Sequence, residues 1–130
     1  MPLTADDARD IAEAFHSAYE AIDRYLDDNW QTISRADYDT LNEAGKTLLR
    51  GSASMRTEAV GLSIDQMADA SAELKQVIGD AKESLARLET IGTVIRVAAG
   101  LVDLAKGILD RNPGGIFNAS QGIVRTIADA

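Results

Sequence analysis

The chain has 130 residues, 45% apolar, 26% charged and only 5% aromatic, with no cysteine and a formal charge of −8. That length suits one domain with a core of its own, and the lack of cysteine excludes disulfides, thiol nucleophiles and cysteine-held metals. An excess of acidic over basic residues, 21 against 13, argues against binding to a nucleic-acid backbone.

The first residues, Met1-Pro2-Leu3-Thr4-Ala5-Asp6-Asp7, hold neither a basic region nor an apolar run. No secretory signal is read there, so a cytoplasmic protein is expected, with signal-independent export left open. Helix one is expected over about 5–33, opened by a capping box of Thr4 with Asp7 and carrying the stripe Ile11, Phe15, Ala18, Ile22, Leu26, Trp30 and Ile33. Helix two, about 35–60, starts from Ser34 with Asp37; Ile33 and Tyr38 stand at the spacing of a hydrophobic staple. Its stripe is thin, with small residues at Gly45, Ser52 and Ala59 that permit another helix to approach closely.

A third capping box, Ser63 with Gln66, begins a stretch that runs to Arg111 without a forced stop. One helix over about 64–110 is expected, roughly 70 Å long at 1.5 Å per residue, with Gly79-Asp80 as the place where it breaks if it breaks. A seven-residue repeat places charges in one column (Lys75, Lys82, Glu89, Arg96, Asp103, Asp110) and small residues in another (Ala72, Gly79, Ala86, Thr93, Gly100, Gly107). Asn112-Pro113-Gly114-Gly115 ends this helix, and a short last one follows over about 116–128. No window alternates apolar and polar residues as a strand does. The expectation is a single all-α domain over 1–130, either a four-helix bundle or an elongated helical hairpin assembly, with a very long third helix.

Function has to be sought in that third helix. Past Ile91 it is apolar nearly all round, so something must surround it: helices of the same chain, other copies or a partner, or lipid. The reading adopted is a non-catalytic interaction protein, an adaptor, assembly subunit, chaperone-like or inhibitory protein. Its contact residues would be Val94, Val97, Leu101, Leu104, Ile108, Ile116 and Phe117. The partner would be another copy or a foreign helix. The acidic front, with 11 acids against 5 bases in residues 1–50, keeps the protein in solution or docks a basic protein.

A second reading inserts the 91–128 hairpin into a bilayer, which Arg96, Asp103, Lys106 and Asp110 oppose. A third, a metal-dependent enzyme, rests on Glu13, His16 and Glu20, half of a carboxylate-bridged di-iron set in a chain that has one histidine. Gly51-Ser52-Ala53-Ser54 reads as small packing residues, and no phosphate loop, dinucleotide fingerprint or calcium loop is present. No metal, cofactor or catalytic residue is assigned.

Overall fold

The computed structural model describes residues 5–58, 70–87 and 90–129. They form five helices: α1 (Ala5–Asn29), α2 (Arg35–Glu58), α3 (Ala70–Leu85), α4 (Ile91–Leu109) and α5 (Pro113–Ala128). No strand occurs among the described residues, and the all-α class follows the periodicity. The capping boxes of Thr4 and Ser63 lie outside the described residues, as does Ala59.

The Ser34 cap forms as its spacing predicts: Asp37 N–H donates to Ser34 Oγ over 3.1 Å, and Tyr38 N–H donates to the Ser34 carbonyl. Helix one stops four residues short of the expected Ile33. The reason is local. Asn29 Nδ2 donates to the Tyr25 carbonyl, and both the N–H and the hydroxyl of Thr32 donate to the Asn29 carbonyl, which takes up acceptors at the helix end. Trp30 therefore sits in the connecting turn, 59% exposed, instead of on the helical stripe.

The single long third helix is not formed. Helix α3 ends at Leu85, where Ala86 and Arg87 N–H donate three residues back and Ser84 Oγ donates to the Ala81 carbonyl. Thr90, in extended conformation, opens α4 by accepting from the N–H groups of Thr93 and Val94. Gly79 lies inside α3, so the break falls beyond the position that the glycine marks. Tertiary packing decides it. Helices α1 and α2 span 25 and 24 residues, and a rod of about 47 would have left much of its apolar surface wet at ~1.5–3 kcal/mol per large side chain. Broken, it supplies α3 to pack on α1 and α4 to pack on α2.

The last helix begins at Pro113, three residues before the expected start. Proline is suited to the first helical position because its missing N–H has no helical partner there. Asn112 caps it, its Oδ1 accepting from Gly115 N–H over 3.1 Å. Between α4 and α5 the chain reverses on Arg111, at φ 53°. Asn112 N–H bonds back to the Gly107 carbonyl and Arg111 N–H to that of Ile108, the paired bonds of a Schellman turn with arginine where glycine is usual.

The helices form a ring in the order α1, α2, α4, α5, α3, with α3 returning to α1. Phe15, Ile22, Leu48, Met55, Ile78 and Leu104 meet inside it. Ser52 is buried and donates to the Ala12 carbonyl of α1 over 2.8 Å. The small residue lets α2 lie close to α1, and the bond satisfies its hydroxyl.

Candidate functional site

Six of the seven expected contact residues do not reach the surface. Val94, Val97, Leu101, Leu104, Ile108 and Ile116 are buried among the chain's own helices. Two devices enclose α4. The broken rod yields five helices instead of four, and two glycines bring α5 against it. A Cβ on Gly107 would lie 3.1 Å from the backbone nitrogen of Ile116, and one on Gly100 would lie 2.7 Å from Ile123 Cγ1. The small-residue column thus marks a close approach only along α4, because a Cβ on Gly79 meets nothing within 4 Å. What α4 leaves in solvent is the charged column, Arg96, Asp103 and Asp110, with Gly92, Ala99 and Lys106.

Phe117 alone of the seven is exposed, at 64%, and it has company. Val124, two helical turns further along α5, is 50% exposed. Both border a groove of about 590 Å³ between α3 and α5, where Leu74 and Val77 form part of the α3 wall and Ile116 part of the α5 wall. Glu73 and Asp80, also two turns apart, stand on the α3 rim. Gln76 Nε2 donates to Asp80 Oδ1 over 2.8 Å and orients that carboxylate. Ser120 lines the same groove with its Oγ buried and no hydrogen-bond partner. Val124 and the α3 wall were not among the expected contact residues. Phe117 and Val124 share a seven-residue spacing, the signal that would have paired them, but nothing in the sequence sets α3 beside α5.

The remaining candidates are simpler. His16 Nδ1 lies 2.9 Å from Glu20 Oε1, and its ring is tilted against Tyr19 at 5.8 Å. Glu13 stands one turn away on α1, and among the described residues no three side chains are grouped to hold a metal ion. At the other end, a cleft of about 620 Å³ beside the α1–α2 turn is lined by Trp30, Ile33 and Tyr38 with Asp27, Arg35 and Asp39. Burial, and secondarily the nearby Asp37 carboxylate, push the Tyr25 phenol above its ordinary value. Acids on the outer face of α1, among them Glu13, Asp23, Asp27 and Asp28, are exposed. No described helix is long and apolar enough to cross a membrane.

Comparison of the chain with protein-family models, with curated proteins and with solved structures returns no match.

Proposed function

We propose that this chain is a non-catalytic helical interaction protein, of the adaptor, assembly, chaperone-like or inhibitory kind, whose binding surface is the groove between α3 and α5. One observation carries the reading: Phe117 and Val124 stand exposed two turns apart along one groove whose lining is largely apolar. Scattered exposed apolar residues are ordinary, but large ones joined by a concave apolar lining mark a place where another molecule is covered. The contact surface is thereby narrower than the whole 91–117 segment, most of whose apolar side chains serve the core. Self-association and a foreign helix are both served by the groove, and the acids of α1 offer a separate face to a basic protein.

Insertion of the 91–128 hairpin into a bilayer lacks comparable support. It requires Val94, Val97, Leu101 and Leu104 to leave the core, at ~1.5–3 kcal/mol for each. Among the described residues, the enzyme reading at Glu13, His16 and Glu20 gains no further metal ligand.

A photocrosslinking amino acid placed at 117 in the producing cell tests the reading. A single adduct of defined mass, lost when Val124 is changed to Asp and absent when the crosslinker stands at exposed Leu49, is the expected result. No adduct at 117, or the same adducts from both positions, would overturn it. The adduct's mass separates a second copy from a foreign partner.

A further inference from the structure

We infer that the occupant of the α3–α5 groove is an amphipathic helix whose apolar stripe is flanked by lysine or arginine, an inference that rests on the interaction reading above. Its first support is geometric. Phe117 and Val124 repeat along α5 at seven residues, and Glu73 and Asp80 repeat at the same interval along α3. The groove therefore has an apolar edge and an acidic edge, each with a period of two turns, ~10.5 Å. A helix lying along it presents anchors at i, i+3 or i+4, and i+7, the pattern by which helices occupy grooves.

Charge is the second support. Among the described lining residues there are two carboxylates and no lysine or arginine. Asp80 is already held by Gln76 in a hydrogen bond that leaves its second oxygen to accept from a cation. A second copy is the poorer occupant, since it would bring its own Glu73 and Asp80 and a charge of −8 to the same rim. A basic-flanked helix meets both edges: its stripe covers Phe117 and Val124, and its cations stand over Glu73 and Asp80.

The test uses the whole chain and three labelled helical peptides of about 18 residues, five turns. They share one leucine stripe and are flanked by lysine, glutamine or glutamate; a scrambled lysine peptide controls for bulk charge attraction. Anisotropy at physiological ionic strength should rank lysine about tenfold tighter than glutamine, and glutamate weakest, with the scramble near the glutamate level. Phe117→Ala, at an exposed position that leaves the fold intact by circular dichroism, should weaken the lysine peptide at least about tenfold. The pair Glu73→Gln with Asp80→Asn should bring lysine down to the glutamine level, while Asp103→Asn with Asp110→Asn, exposed acids at the same seven-residue interval away from the groove, should change it less than about twofold. Equal binding of lysine and glutamine peptides overturns the inference and leaves the groove standing. Insensitivity of every peptide to Phe117→Ala overturns the groove itself.

Discussion

The α-carbon of Gly107 on α4 faces the backbone of Ile116 on α5 so closely that an added Cβ would lie 3.1 Å from the Ile116 nitrogen. Backbone cannot swing aside as a side-chain tip can. Gly107→Ala should therefore cost about 1–3 kcal/mol of stability. Gly79→Ala, at a helical position where the methyl meets nothing, should add up to about 1 kcal/mol. Urea unfolding of the two variants reads both signs, and a neutral Gly107→Ala would mean that α5 sits further from α4 than described.

Arg111 holds a left-handed conformation in the α4–α5 turn, which costs an L-residue roughly 1–2 kcal/mol. Glycine adopts it freely but gains freedom in the unfolded chain, an offset of about 0.5–1 kcal/mol. Arg111→Gly should be more stable than Arg111→Ala by about 0.5–1 kcal/mol, since both lose the arginine side chain and only glycine relieves the backbone, seen as a higher urea midpoint with an unchanged slope. An equal or lower midpoint for glycine would show that the turn is not strained at this position.

Tyr25 makes stability fall in alkali. Its folded pKa is raised, chiefly by burial and then by Asp37, so the folded state keeps the phenol proton after the unfolded chain has lost it. The contribution is fully present below pH about 10 and is lost as pH rises through the folded value. Unfolding midpoints followed from pH 9 to 11 should decline more steeply for the wild type than for Tyr25→Phe. Parallel declines would contradict it.

What could be read from the residues was whatever a few neighbours decide. Ser34 caps α2 because its hydroxyl needs only the N–H three residues on. The stripe of α2, from Tyr38 through Leu41, Gly45 and Leu48 to Ser52 and Met55, turns inward as its spacing requires. The break after Leu85 was not legible, because Ala86-Arg87-Leu88-Glu89-Thr90 contains neither glycine nor proline; it exists because shorter helices can close a ring. Pro113 misled for the opposite reason, since the residue that stops one helix is also suited to start the next. The groove was half legible. Phe117 stood out as apolar in an apolar segment, whereas its opposite wall, Leu74 and Val77, requires knowing that α3 returns to α5.

The two short reversals, residues 30–34 and 110–112, join partners that lie against each other along their length. Each pair can zip up by closing only a small loop, with little chain entropy at stake. The two hairpins then meet chiefly through α2 against α4, with α3 closing the ring onto α1, and native-state amide exchange tests whether they nonetheless open as two cooperative blocks.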